Sequence, residues 1–199
     1  MTTAHNRDFV LGRIRELATA YEALEHQVAR GSDTGPQPGH RGRGEPPIPI
    51  RALSITQPWA SLIALGAKSI ETRSWATGYR GPLAIHATKG FPRRALECCL
   101  DEPFRSALWA ASVRSADHLP RGKVVAIAEL VDVRRITTPK SLRYVLSANE
   151  VAFGDFTPGR YAWVLANVQP LPEPIPARGM QRLWRWDAPA GLALAGGGR

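Results

Sequence analysis

The sequence is poor in the residues that mark a disulfide framework or a metal site. Its 199 residues include two cysteines, Cys98 and Cys99, and these are adjacent. A vicinal pair does not form a disulfide framework, and neither a CxxC spacing nor a Cys/His cluster indicates zinc. The five histidines are scattered without the spacing of metal ligands. We therefore predict no metal and no cofactor.

Long apolar runs are also missing. No stretch approaches the ~20 apolar residues that a membrane-spanning helix needs, and residues 1–9 lack the apolar centre of a signal peptide. The chain has no GxGxxG or Walker spacing and no Ser/His/Asp arrangement. We expect a soluble, cytoplasmic protein without a membrane partner.

Acidic side chains are scarce relative to basic ones. The chain has 17 Asp and Glu against 26 Lys and Arg, a net charge of +9 and an isoelectric point near 10.4. Such a surface attracts polyanions, of which nucleic acid is the commonest, although an Arg-rich composition also reflects a GC-rich genome. The scattered cations are interpreted as diffuse phosphate contacts or as a solvated face: Arg93, Arg94, Arg134, Arg135, Lys140 and Arg143.

Composition divides the chain into four segments. In residues 1–30, apolar side chains spaced by four and three positions predict an amphipathic accessory helix. Its apolar stripe can pair with a second copy in a homodimer, or it can dock on the rest of the chain. Residues 31–49 are rich in Gly, Pro and charge, which predicts a disordered linker, and residues 188–199 predict a disordered tail. The main domain, residues 50–187, has 19 basic and 11 acidic residues, a net charge of +8.

Strand and helix patterns alternate along the main domain. Pro58 and Gly66 bracket the segment "PWASLIALG" and predict a short helix. Further helices are predicted over residues 91–112, with a break near Pro103, and over residues 138–147. About five strands with short interposed helices favour an α+β fold: a small, partly open β-barrel with short helices at its ends. The predicted strands are 51–56, 69–75, 82–88, 122–136 and 160–172.

A dense group of charges follows the first predicted helix. Lys68, Glu71 and Arg73 lie close together in "LGAKSIETRSW", directly after a mostly apolar stretch. They form either a solvated network of ion pairs or the wall of a site. Arg73 offers a planar fork to a phosphate or a base edge. Glu71 can accept from an exocyclic amine or orient Lys68, and Lys68 can bind phosphate or act as a base if burial lowers its pKa.

Aromatic and polar residues near this group are further candidates for ligand binding. Trp59, Trp75 and Tyr79 either pack in the core or stack on an unpaired base. Trp75 is favoured because, on an extended strand, it shares a face with Glu71 and Arg73. The other candidates are Gln57, which caps the helix or contacts a base edge, Arg80, which contacts phosphate, His86, which is structural or faces the site, and the weaker Ser54.

The segment "LSITQPWASLIALGAKSIETRSWATGYRGPLAIHAT" resembles the start of an ASCH domain. The family signature G-x-K-x-x-E-x-R is matched by Gly66, Lys68, Glu71 and Arg73. The segments "GKVVAIAELVDV", "GRYAWVLANVQPLPEPIPARG" and "LWRWD" resemble later parts of the family, so the resemblance covers residues 50–187. The chain looks like bacterial relatives of the endothelial-overexpressed lipopolysaccharide-associated factor. The resemblance implies a PUA-like fold with a cleft beside the first helix that binds RNA or a nucleotide.

Some small proteins of similar fold instead hydrolyse N4-acetylcytidine. Those enzymes use a lysine, a threonine three residues after it and a glutamate further along. Here Glu71 occupies the position three residues after Lys68. We predict an RNA- or nucleotide-binding module that holds a single-stranded or modified base in a cleft lined by the signature residues. The alternative is an amidohydrolase that deacylates N4-acetylcytidine-type nucleosides, with Lys68 as base, Glu71 as its partner and water as the attacking group.

Overall fold

The computed structural model describes residues 48–138, 146–189 and 192. The predicted helix over residues 1–30 lies outside these residues, as do most of the linker, most of the tail and most of the helix predicted over residues 138–147. Those assignments stay predictions, and so does a homodimer formed through the N-terminal helix.

The domain is built on one mixed sheet of six strands. In chain order these are β1 (Ile48–Ile55), β2 (Ile70–Arg73), β3 (Gly81–Ala87), β4 (Lys123–Arg135), β5 (Tyr161–Pro176) and β6 (Leu183–Ala188). Their spatial order is β2-β5-β4-β3-β1-β6. β1 and β3 are parallel, and every other neighbouring pair is antiparallel. The predicted α+β class is confirmed, but the sheet is not closed into a barrel, since the edge strands β2 and β6 are not paired with each other within the described ranges.

Short helices fill the connections. They are α1 (Trp59–Ala64), α2 (Arg93–Cys98), α3 (Phe104–Ala110) and α4 (Ala148–Phe153), with a 3-10 turn at Ala116–His118. The break predicted near Pro103 separates α2 from α3. The helix α4 was not predicted from the sequence. None of the helices in the described part of the chain is long and apolar enough to cross a membrane.

Both faces of the sheet are covered by apolar side chains. Successive side chains of a strand point to opposite faces. In β1, Leu53 and Ile55 belong to a buried cluster that includes Ile63 of α1, while Ile50 belongs to a second cluster that includes Trp186 of β6. Each such side chain contributes about 1.5–3 kcal/mol when it is fully buried. The C-terminal end of β1, where the polar residues of the site begin, is therefore held between two cores.

Candidate functional site

The charged signature begins where α1 ends. Gly66 has a φ of +71°, a left-handed conformation that glycine adopts without a steric penalty. The chain turns there, so that the backbone N–H groups of Ala67 and Lys68 both donate to the backbone oxygen of Leu62, at 2.9 and 3.0 Å. This turn fixes the backbone of Lys68, and β2 begins two residues later at Ile70.

Lys68 is fully buried between two carboxylates. Its Nζ lies 3.8 Å from Glu71 Oε2 and 3.8 Å from Glu150 Oε1, and it donates a hydrogen bond to the backbone oxygen of Ile70. Burial lowers the pKa of the Lys68 ammonium; the Glu71 and Glu150 carboxylates oppose that shift, and Arg73 adds to it. The Lys68 side chain therefore has no exposed surface, and its contacts are with Glu71, Glu150 and Ile70 inside the protein.

Glu150 connects α4 to the start of β2. Its Oε2 accepts hydrogen bonds from the backbone N–H of Ser69 at 3.0 Å and from the Ser69 hydroxyl at 3.1 Å, and its Oε1 accepts from the N–H of Ile70 at 2.9 Å. Glu150 was not among the site residues predicted from the sequence. A signal was available, because Ser147 and Glu150 have the spacing of a capping box, and Ser147 Oγ does accept from the N–H of Glu150 at 3.0 Å. The carboxylate, however, reaches across to β2.

A cavity of about 360 Å³, which we call the motif cavity, lies beside this network. The end of β1, the strand β2 and the helix α4 with the loop after it all contribute to its lining. The residues that matter most for its chemistry are Ser54, Trp59, Glu71, Arg73 and Asp155. Lys68 is not among the lining residues, so of the three charged signature residues the structure brings Glu71 and Arg73 to the cavity.

Glu71 and Arg73 form a charged pair in the cavity lining. Arg73 Nε lies 3.1 Å from Glu71 Oε1, and Arg73 Nη2 donates to the backbone oxygen of Ser54 at 2.8 Å. The buried Nε–H still has no hydrogen-bond partner of suitable geometry among the residues that the structure describes. Arg73 is thus held in place by Glu71 and β1, and its side chain, which is 25% exposed, remains partly open to the cavity.

A second charged pair borders the same cavity. The carboxylate of Asp155 lies 3.2 Å from Arg160 Nε, and the backbone N–H of Asp155 donates to Thr72 Oγ1 at 3.1 Å. Neither residue was predicted from the sequence, since no local motif marks the loop after α4. With Glu71, Asp155 makes the lining more acidic than basic. Within the described ranges, no group of three His, Cys, Asp or Glu is placed to hold a metal ion.

The two candidates at the start of α1 have different surroundings. Trp59 lines the motif cavity and packs edge-to-face on Phe104, with ring centroids 5.8 Å apart. Gln57 is fully buried; its Nε2 donates to Ser61 Oγ at 2.8 Å and to the backbone oxygen of Pro120 at 2.7 Å, and its Oε1 accepts from the N–H of Ser61 at 3.0 Å. The Gln57 side chain is therefore bound within the protein, where its oxygen accepts from an N–H in the first turn of α1.

Trp75, Tyr79 and Arg80 are not brought together with Glu71 in the lining of the motif cavity. The ring of Trp75 packs edge-to-face on Trp163 with centroids 4.7 Å apart. The Tyr79 hydroxyl donates to a backbone oxygen three residues further along the chain, and burial raises the pKa of Tyr79. Arg80 is exposed, and its Nη2 lies 3.5 Å from Asp132 Oδ1. Their contacts in the structure are with other parts of the protein.

His86 lies at a second cavity, of about 650 Å³, whose lining includes Ser54, His86, Lys89 and Arg178. We call it the basic cavity. The His86 ring is buried, with Nδ1 3.2 Å from Ser54 Oγ and Nε2 3.1 Å from the backbone oxygen of Ala177. Burial lowers the pKa of His86, and the hydrogen bond with Ala177 partly opposes that shift. Ser54 lines both cavities, so the two cavities are adjacent near the end of β1.

Comparison with known proteins agrees with the fold. The ASCH domain matches residues 53–175. Activating signal cointegrator 1 of Homo sapiens is 27% identical over 136 residues, which are 68% of this chain and 22% of that protein. The Mus musculus protein of the same name is 28% identical over 136 residues, with the same coverage. The chain thus spans 22% of the length of these relatives, and the match extends through the signature to β5. This chain belongs to the ASCH domain family.

Proposed function

We propose that this domain binds single-stranded RNA and holds one base in the motif cavity. The observation that carries the proposal is the pair formed by Glu71 and Arg73 in the wall of a cavity, in which a guanidinium side chain that is 25% exposed lies beside a carboxylate side chain that is 11% exposed. The cavity, about 360 Å³, lies near the lower limit of ligand pockets, roughly 300–1,000 Å³, which suits one nucleoside.

The charges of the lining favour a base over a phosphate. Glu71 and Asp155 repel an anion, whereas a carboxylate accepts a hydrogen bond from the exocyclic amine of cytosine or adenine. Arg73 can donate to a ring nitrogen or a carbonyl of the same base. Trp59 adds an aromatic surface next to these polar groups, as single-stranded RNA sites commonly do.

The net charge and the family support RNA as the source of that base. The chain carries a net charge of +9, which attracts the phosphates of a nucleic acid without regard to sequence. ASCH domains, the family that matches residues 53–175, are associated with RNA binding. The cavity then supplies selectivity for a base, and the surface supplies much of the affinity.

Deacylation of N4-acetylcytidine is less well supported. Lys68, the base in that reaction, is fully buried, and its Nζ is enclosed by Glu71, Glu150 and the backbone oxygen of Ile70. Glu71 also stands where the resembling enzymes have threonine. Incubation with N4-acetylcytidine, followed by chromatography, separates the two functions: we expect no release of cytidine, and release that depends on Lys68 would establish the enzyme instead.

The binding proposal is tested by fluorescence anisotropy with labelled RNA octamers. We expect octamers of cytidine or adenosine to bind more tightly than octamers of uridine, because uracil has no exocyclic amine for Glu71. In Arg73→Lys the charge is kept and the planar fork is lost, so affinity should fall about tenfold, within the ~1–3 kcal/mol of a bidentate contact. Arg93→Lys is the matched control, since Arg93 is 91% exposed on α2 and lies outside the cavity lining.

Two results would overturn the proposal. The first is a wild-type protein that binds no octamer even at low salt. The second is an Arg73→Lys protein that binds the octamers as tightly as the Arg93→Lys control does.

A further inference from the structure

The basic cavity differs from the motif cavity in the sign of its charge. Its lining contains the cations Lys89 and Arg178 and no Asp or Glu, whereas the lining of the motif cavity contains Glu71 and Asp155 against the one cation Arg73. The two cavities share Ser54 at the C-terminal end of β1. An acidic cavity and a basic cavity are thus adjacent at the end of one strand.

The two cations of the basic cavity have no ion-pair partner among the described residues. Some exposed arginines elsewhere are paired: Arg93 lies 2.9 Å from Glu97 and Arg185 lies 2.8 Å from Asp187. Lys89 and Arg178 are both exposed as well, so their charges face solvent beside a concave surface. An unpaired pair of cations at a cavity is the arrangement that attracts a phosphate group.

The loop that carries Arg178 is fixed against the sheet. Next to it, the backbone N–H of Ala177 donates to the backbone oxygen of Gly122 at 3.0 Å, and the backbone oxygen of Ala177 lies 3.1 Å from His86 Nε2. On its other side, Gly179 packs so closely on His86 that an added Cβ would lie 2.7 Å from His86 Nδ1. The backbone on both sides of Arg178 is therefore held in place, which makes its position at the cavity a property of the fold.

We propose that the basic cavity binds the phosphodiester next to the base held in the motif cavity, so that the two cavities contact successive nucleotides of one RNA strand. This inference rests on the proposed function and deepens it. The division of charge supports it, because an acidic lining suits the amine of a base and a basic lining suits the backbone phosphate. Pro176 and Met180 give the basic cavity an apolar wall, against which the ribose of the neighbouring nucleotide can pack.

The test is a salt series with the RNA octamer and the full chain carrying Lys89→Ala and Arg178→Ala together. Each phosphate contact contributes about 0.7 to the slope of log K against log salt for a single strand, so the double variant should reduce that slope by about 1.4. Affinity should fall roughly tenfold for each lost charge-assisted contact. Arg94→Ala with Arg114→Ala is the matched control, because both residues are exposed and neither lines a cavity.

Free nucleosides separate this inference from the proposed function, because adenosine and cytidine have no phosphate. Calorimetry should show that the nucleosides bind the wild type and the Lys89/Arg178 variant with equal affinity, and that they bind the Arg73→Lys variant more weakly. In one outcome the wild type binds both nucleosides and octamer, but the salt slope and the octamer affinity fall by the same amount in the Lys89/Arg178 variant as in the control pair. The basic cavity is then not a phosphate site, and the proposed function stands. If the wild type binds neither nucleosides nor octamer, the proposed function fails and this inference fails with it.

Discussion

Replacement of Glu150 by alanine removes the side chain that connects α4 to β2. The variant loses three hydrogen bonds, those from the N–H and hydroxyl of Ser69 and from the N–H of Ile70. It also loses one of the two carboxylates that lie 3.8 Å from the Lys68 ammonium. The Glu150 side chain is 8% exposed, so water cannot fully replace these contacts.

The expected loss of stability follows from the groups left without partners. A buried N–H without an acceptor costs ~1–3 kcal/mol, and removal of one partner from a buried ion pair costs ~3–5 kcal/mol. The buried N–H of Ile70 accounts for about 2 kcal/mol. Because Lys68 keeps Glu71, the loss of Glu150 from the ion pair should cost less than that full ion-pair range, about 1–2 kcal/mol, which gives a total of about 3–4 kcal/mol. A domain has about 5–15 kcal/mol of stability, and each kcal/mol lowers the Tm of a chain of this size by about 2–4 °C. The Tm of Glu150→Ala should therefore fall by roughly 10 °C.

The matched control is Glu97→Ala, measured in parallel by urea and thermal denaturation with circular dichroism. Glu97 Oε1 lies 2.9 Å from Arg93 Nε, a shorter distance than that between Glu150 and Lys68, but the Glu97 side chain is 57% exposed. An exposed pair contributes about 0–1 kcal/mol, so this variant should melt close to the wild type. If Glu150→Ala is no less stable than Glu97→Ala, burial does not give the Lys68 network its stabilising role and the reasoning is wrong.

Two further predictions concern residues that line the basic cavity, Gly179 and His86. Gly179→Ala should destabilise the protein by about 1–3 kcal/mol, because the added Cβ would lie 2.7 Å from His86 Nδ1 and 2.9 Å from Ser54 Oγ. Gly90→Ala is the control, since its Cβ meets no described atom within 4 Å. Equal urea midpoints for the two variants would contradict the predicted steric conflict at Gly179. Burial lowers the pKa of His86 from its ordinary 6.5. As the pH falls below 6.5, the unfolded chain therefore binds a proton at His86 more readily than the native state does. The contribution of His86 to stability is thus present above pH 6.5 and is lost as the pH falls below it. Melting curves between pH 7.5 and 5 should show this loss, and an NMR titration that places the His86 pKa at or above 6.5 would disprove it.

Local sequence patterns were sufficient to predict α1 and β2, two of the elements around the site. Pro58 and Gly66 predicted the ends of α1, and Gly66 does adopt the left-handed conformation that ends the helix. These features depend on residues a few positions apart, which is why they can be read from one sequence. The helix α4 was missed although Ser147 and Glu150 have the spacing of a capping box, since the flanking apolar pattern favoured a helix over residues 138–147.

The sequence by itself determined which residues carry the charge of the site, and the tertiary structure decided what each of them contacts. The spacing of Lys68, Glu71 and Arg73 is a local property, but the burial of Lys68 depends on Glu150, whose carboxylate binds the N–H of a residue 80 positions earlier in the chain. The same holds for Asp155, which reaches the cavity because the loop after α4 meets β2. A buried charge requires partners on every side, and chain segments far apart in sequence supply them only when the chain is folded.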